Sequence, residues 1–218
     1  MARVRTGVLI SGRGSNLQAL LDAAANPDFP AEIVCVISNR PGAGGLKRAE
    51  AAGVTALTVD HKAFDTREAF EDALHGELTN QGVELVCLAG FMRLLTPGFV
   101  HRWTGRMINI HPSLLPSFKG VDTHQRALDA GVKLTGASVH FVSAEMDAGP
   151  IIGQAAIPVL PGDNAQALAA RVLAAEHLLY PECLRQIASG AARLEDRRVI
   201  LERGAAPDAR LVNPPPRG

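Results

Sequence analysis

The stretch Asn109-Ile110-His111-Pro112-Ser113-Leu114-Leu115-Pro116 carries an amide and an imidazole separated by one residue, and Asp147 follows in a turn with Gly149 and Pro150. Alternate side chains of an extended segment project to the same side, so Asn109 and His111 can face one reacting group together. Pro112 and Pro116 stiffen the loop and lower the entropy cost of holding both groups in place. A carboxylate beside an imidazole favours its cation, and an amide with an imidazolium makes a matched donor pair for a developing oxyanion. The bland alternative is that Asn109 and His111 satisfy local backbone groups. No serine or cysteine stands in an elbow motif, which points away from a covalent acyl-enzyme. One histidine with one carboxylate is a poor set of metal ligands, so no metal is expected.

A second constellation is Ser11-Gly12-Arg13-Gly14-Ser15-Asn16. Glycines turn the backbone sharply, and the N–H groups of Gly14, Ser15 and Asn16 open a helix, which suits phosphate. Leu17 takes the place of the third glycine of a dinucleotide fingerprint, so only Arg40, after the next strand, keeps a dinucleotide reading open. The alternative is a tight turn in which Ser15 or Asn16 caps the helix. Glu176 falls on the apolar stripe of the last long helix, between Val172 and Leu179. An inward carboxylate needs a partner, either an intraprotein ion pair or a cationic or hydroxyl-rich substrate. Arg67 shares a helix face with Phe70 and Leu74, and is either a snorkelling arginine or a contact for a carboxylated ligand.

These groups need a scaffold, and the hydrophobic pattern supplies one. Strands are expected at 8–11, 33–38, 55–59, 83–89 and 106–110, and helices at 16–25, 46–52 and 65–80. This β-α alternation predicts an α/β fold: a doubly wound, mostly parallel, Rossmann-like sheet. Residues 134–142 and 151–159 leave no room for a helix between them and should pair antiparallel on the C-terminal side of the sheet, with Asp147 in their turn. A last helix is expected at 164–187. Residues 1–203 read as one domain, and 204–218 as a loose proline-rich tail.

Composition sets outer limits. The 218 residues are 47% hydrophobic and 20% charged, enough for one well-filled core. Lysine plus arginine and aspartate plus glutamate balance at 22 each, so no global field favours nucleic acid or an anionic membrane. The longest early apolar run, Val8-Leu9-Ile10, is far too short for a signal peptide or membrane span. Cys35, Cys87 and Cys183 are widely spaced, and the first two lie in apolar runs. They read as reduced thiols, which suits the cytoplasm.

Several motifs in order resemble the phosphoribosylglycinamide formyltransferase family, over about residues 6–200. They are Ile10-Ser11-Gly12-Arg13-Gly14-Ser15-Asn16-Leu17, Ala89-Gly90-Phe91-Met92-Arg93, the Asn109–Pro116 stretch, Ser138-Val139-His140-Phe141-Val142 and Asp147-x-Gly149-Pro150. The resemblance implies that the amine of glycinamide ribonucleotide attacks the formyl carbon of the co-substrate 10-formyltetrahydrofolate directly. Asn109 and protonated His111 then stabilise the tetrahedral oxyanion, and Asp147 keeps His111 acidic and relays protons. It places the substrate phosphate at Gly14, Ser15 and Asn16, and the rest of that substrate against Leu173, Ala174, Ala175 and Glu176. It lines the folate site with Arg67, Met92, Arg93, Leu94, Leu95 and Asn109, closed over the pterin by Ser143, Ala144, Glu145, Met146 and Asp147. It also makes a homodimer possible. Methionyl-tRNA formyltransferases share the loop style but lack the Gly-Ser-Asn segment. A formyltetrahydrofolate hydrolase uses the same trio with water, and a nucleotide sensor would use the glycine loop alone.

Overall fold

The computed structural model describes residues 2–202 together with Leu211 and Asn213. The chain starts with β1 (Val4–Ile10), α1 (Ser15–Ala24), β2 (Ala31–Ser38), α2 (Gly44–Ala51) and β3 (Thr55–Thr58). A 3-10 turn at His61–Ala63 leads into α3 (Arg67–Asn80), β4 (Leu85–Leu88), α4 (Pro97–Arg102) and β5 (Met107–His111). Then come α5 (Thr123–Asp129), β6 (Leu134–Phe141), β7 (Ile151–Pro158), α6 (Ala165–Ala188), β8 (Ala192–Glu195) and β9 (Arg198–Leu201).

The main sheet has seven strands in the order β3-β2-β1-β4-β5-β6-β7. Strands β1 to β5 run parallel, whereas β6 and β7 are antiparallel to their neighbours. The expected α/β class, with antiparallel strands on the C-terminal side, is therefore what forms. The chain winds outward from β1 through β2 to β3, then crosses back to β4. This reversal opens a crevice at the carboxyl ends of β1 and β4, where open α/β sheets take ligands.

Strand alternation divides the core. Val8, Ile10, Ile108 and Ile110 pack with Leu17, Leu20, Leu168, Val172 and Tyr180, under α1 and α6. Leu9, Ile37 and Met107 pack on the opposite face with Phe70, Leu74, Leu78, Phe99 and Trp103, under α3 and α4. Each fully buried leucine or phenylalanine contributes about 1.5–3 kcal/mol. The same period of two puts Asn109 and His111 on Met107's face of β5, at its carboxyl end.

The boundaries depart from expectation where polar residues interrupt the pattern. β1 begins at Val4, because Arg5, despite its charge, finds partners: its N–H donates to Glu84 Oε2 (2.9 Å) and its Nη1 to Glu32 Oε1 (3.1 Å). α4 lies outside the expected elements, although Thr96 accepts from the Phe99 N–H at 3.2 Å and Pro97 occupies its first turn. The β8–β9 hairpin turns on Asp196 (φ 43°) and Arg197 (φ 64°), a left-handed pair with no glycine to announce it. Of the expected loose tail, residues 204–218, all but Leu211 and Asn213 lie outside the described residues. Asn213 Nδ2 donates to the carbonyls of Lys133 (2.7 Å) and Val159 (3.2 Å).

Candidate active site

Antiparallel register builds the centre. Asn109 lies opposite His140 and His111 opposite Ser138 across β5 and β6, so four polar side chains share one face of two strands. Gln154 continues the row on β7, opposite Ser138. Ser138 is the fastener: its hydroxyl donates to the Ser113 carbonyl (2.7 Å) and accepts from the Leu115 N–H (2.9 Å) and from Gln154 Nε2 (2.9 Å). Gln154 Nε2 also reaches the Leu115 carbonyl at 3.0 Å. The proline loop is thus tied to the sheet by side chains of β6 and β7.

Asp147 closes the group from the β6–β7 turn. Its Oδ2 stands 3.5 Å from His111 Nδ1 and its Oδ1 stands 3.8 Å from His140 Nε2. The Gly120 N–H donates to Oδ2 at 2.8 Å. Asp147 holds a left-handed backbone (φ 50°). Close behind it, a Cβ on Gly149 would stand 1.7 Å from the Phe141 carbonyl oxygen, so only glycine lets the turn lie this near β6. The expected convergence of Asn109, His111 and Asp147 is present in the geometry.

The two histidines differ in what they face. His140 Nδ1 lies 2.9 Å from the Phe141 carbonyl and must donate to it, which leaves Nε2 to accept from Asn109 Nδ2 at 3.2 Å. Burial lowers the His140 pKa from the ordinary histidine value; the Phe141 carbonyl and Asp147 oppose that shift. A neutral ring with that tautomer fits. His111, 5% exposed, has acceptors on both nitrogens: the Phe118 carbonyl lies 3.0 Å from Nε2, and Asp147 faces Nδ1. Phe118 itself is held at φ 54°. For His111 to donate to a substrate oxygen through Nε2, the Phe118 carbonyl must yield its place.

Helix α6 brings the other acid. Glu176 is 6% exposed, and Asn16 Nδ2 donates to its Oε2 at 2.6 Å. Burial raises the Glu176 pKa, with the Asn16 hydrogen bond acting in the opposite direction. Its partner is therefore a neutral amide, not the ion pair that the sequence left open. One turn later, the buried Tyr180 hydroxyl donates to the Leu88 carbonyl (2.9 Å) and lies 3.2 Å from that of Ile108. This contact ties α6 to the last residue of β4 and to the start of β5. Of the other α6 positions, Leu173 and Ala175 are half-buried and Ala174 is exposed.

Gly14 is the N-cap of α1, at φ 75° and without a side-chain cap. The alternative in which Ser15 or Asn16 caps the helix is not what forms, so the first N–H groups of α1 remain available. At the far side of the crevice Met92 is 69% exposed and Leu94 63%. With Met146 they give the loops flanking the trio an apolar rim suited to a flat ring system. Arg67 is exposed at the first position of α3, and Arg93 is half-buried. Ser143 is half-buried, Ala144 and Glu145 are exposed, and Glu145 pairs with Lys119 at 3.1 Å.

His140, Ser138, Gln154 and Glu71 are not among the working residues expected from the sequence. The signal for the first two was period-two polarity in an otherwise apolar strand. Buried Glu71 accepts the Thr96 N–H at 2.8 Å and also the Thr96 hydroxyl, anchoring the end of the 91–95 loop. It lay hidden because it follows Phe70 on a helix with a weak apolar face. Cys35, Cys87 and Cys183 are free and buried, and burial pushes each thiol up to about 12.

A family model described as "Formyl transferase" matches residues 4–184. The chain belongs to the formyl transferase family. It is 41% identical over 209 residues to the phosphoribosylglycinamide formyltransferase of Haemophilus influenzae, covering 96% of this chain and 99% of that protein. It is 51% identical to the trifunctional purine biosynthetic protein adenosine-3 of Bos taurus, covering 88% of this chain but 19% of that much longer protein. A crystal structure of glycinamide ribonucleotide transformylase 1 from Symbiobacterium toebii superposes with a TM-score of 0.89 at 50% identity, covering 91% of this chain and 94% of the other. Among the described residues of this formyl transferase no helix is long and apolar enough to cross a membrane.

Proposed function

We propose that the chain is a phosphoribosylglycinamide formyltransferase. It moves the formyl group of 10-formyltetrahydrofolate to the primary amine of glycinamide ribonucleotide, a step of purine synthesis in the cytoplasm, within one domain spanning residues 1–203. Relatives matched over nearly their whole length carry that name. The observation that carries the reading is the meeting, at one end of one sheet, of an oxyanion-type donor pair, a carboxylate and an uncapped helix start.

Each residue has a role in direct transfer. Gly14, Ser15 and Asn16 hold the phosphate with backbone N–H groups. Glu176, steadied by Asn16, receives the sugar or amine end, with Leu173, Ala174 and Ala175 beside it. Arg67, Met92, Arg93, Leu94 and Leu95 line the folate, and Ser143, Ala144, Glu145, Met146 and Asp147 close over its pterin. Asn109 turns one N–H to His140, which leaves its second N–H for the formyl oxygen as the amine nitrogen adds to the formyl carbon. His111 is the second donor. Asp147, in contact with its ring, carries the proton that the amine loses and the departing folate nitrogen gains.

The deciding experiment is a formyl-transfer assay with glycinamide ribonucleotide as acceptor and water as control. Transfer to the amine at a rate far above release of formate is expected. Formate release that does not depend on the amine would replace transfer with hydrolysis.

A further inference from the structure

We infer that α2 backs the phosphate loop and that Arg48 is a positioning residue for the phosphorylated substrate. The inference rests on the reading that residues 14–16 hold the phosphate. The Gly45 N–H donates to the Gly12 carbonyl at 3.0 Å, and Arg48 Nε donates to the Arg13 carbonyl at 3.0 Å. Two successive loop carbonyls are thus drawn to the same helix. In a trans peptide the N–H points opposite to the C=O of the same plane. Fixing the carbonyls of Gly12 and Arg13 therefore turns the N–H groups of Arg13 and Gly14 away from α2. There they join those of Ser15 and Asn16 as donors without a backbone acceptor among the described residues.

The backing is in main-chain contact. A Cβ on Gly14 would lie 2.7 Å from Gly45 Cα, and one on Gly45 would lie 2.5 Å from Ile10 Cδ1 and 3.3 Å from Gly14 Cα. Arg48 is itself aligned by Gln18 of α1, whose Oε1 accepts from its Nη1 at 3.0 Å. Its guanidinium bridges the loop to the helix the loop opens, on the side opposite the free N–H groups, so its role is to hold the loop and not to take part in the reaction. Nothing in the Ser11–Asn16 motif announces this, because the support comes from a helix some thirty residues away (35 between Arg13 and Arg48).

The test measures KM for both substrates, and competitive inhibition by ribose 5-phosphate, in Arg48→Met, Arg48→Lys and Gln18→Leu, with Gly14→Ala as a reference for the loop itself. Losing a charge-assisted hydrogen bond is expected to raise the KM for glycinamide ribonucleotide about tenfold in Arg48→Met and to weaken ribose 5-phosphate in parallel. The folate KM should stay within about twofold, the same order as measurement scatter in context-dependent contacts. Arg48→Lys should recover part of the loss, and Gln18→Leu should show a smaller effect of the same kind. If Gly14→Ala weakens ribose 5-phosphate while Arg48→Met does not, the role of Arg48 falls and the phosphate reading stands. If neither variant affects ribose 5-phosphate, the phosphate reading falls with it. Equal increases in both KM values in Arg48→Met would mean general loosening and would also overturn the inference.

Discussion

Asn109 and His140 face each other across β5 and β6, with the amide nitrogen of one 3.2 Å from Nε2 of the other. Because His140 Nδ1 is committed to the Phe141 carbonyl, the ring can only accept at Nε2, and this fixes which end of the Asn109 amide faces the cleft. Removing the Asn109 side chain should lower kcat by about 10²–10³-fold, the usual cost of one oxyanion donor. Replacing His140 with alanine should cost about tenfold in kcat with both KM values nearly unchanged, a loss of roughly 1.4 kcal/mol in alignment. Steady-state kinetics on the two variants check this, and a His140→Ala enzyme as impaired as Asn109→Ala would mean direct participation.

Burial sets a pH dependence at the same residue. The folded-state pKa of His140 is depressed below the ordinary 6.5, so its contribution to stability is present above that value and is lost as pH falls through the unfolded and then the folded pKa. Melting temperatures measured between pH 8 and 5 should fall on the acid side in the native protein and fall less steeply in His140→Asn. Parallel curves would remove His140 as the responsible group.

Asp147 is in reach of two imidazoles and one backbone N–H, so its charge can be neutralised with little change in shape. Asp147→Asn is expected to reduce kcat by about 10²–10⁴-fold, the range of lost acid–base assistance, while the fold melts normally. Turnover close to that of the native protein would end its role in proton transfer.

Gly14 combines a left-handed backbone with main-chain contact to Gly45, so even a methyl group strains the loop. Gly14→Ala should raise the KM for glycinamide ribonucleotide by about tenfold or more while leaving the folate KM nearly unchanged, a cost in the range of one strained backbone position. The two KM values rising together would contradict the phosphate assignment.

Glu176 has its pKa raised by burial, which reverses the usual carboxylate sign. A folded state that prefers the protonated acid is most favoured below the unfolded pKa, near 4.5, and loses stability as pH rises through it towards the raised value. Glu176→Gln should therefore raise the melting temperature at pH 7–8 by about 2–4 °C, the equivalent of some 1 kcal/mol in a protein of this size, with the gain vanishing near pH 4. Activity should fall in the same variant. A gain that persists unchanged at acid pH would assign the effect to packing.

Much of this molecule is fixed by pattern. Apolar runs covered on both faces, alternating with segments of helical period, point to a parallel α/β sheet, and the short link from β6 to β7 forces an antiparallel pair. Asn109, His111, Asp147, Gly14 and Glu176 were legible because each sits where local rules make its residue type costly or unusual: a polar strand end, a glycine-punctuated helix start, an acid on an apolar stripe. What tertiary structure decided is partnership. Glu176 meets Asn16 across 160 positions, Ser138 pins a loop 23 positions away, and Phe118 places its carbonyl on His111. Such contacts depend on strand order and register, which no local period encodes, because hydrogen-bond partners are set by distance in space once the sheet has formed.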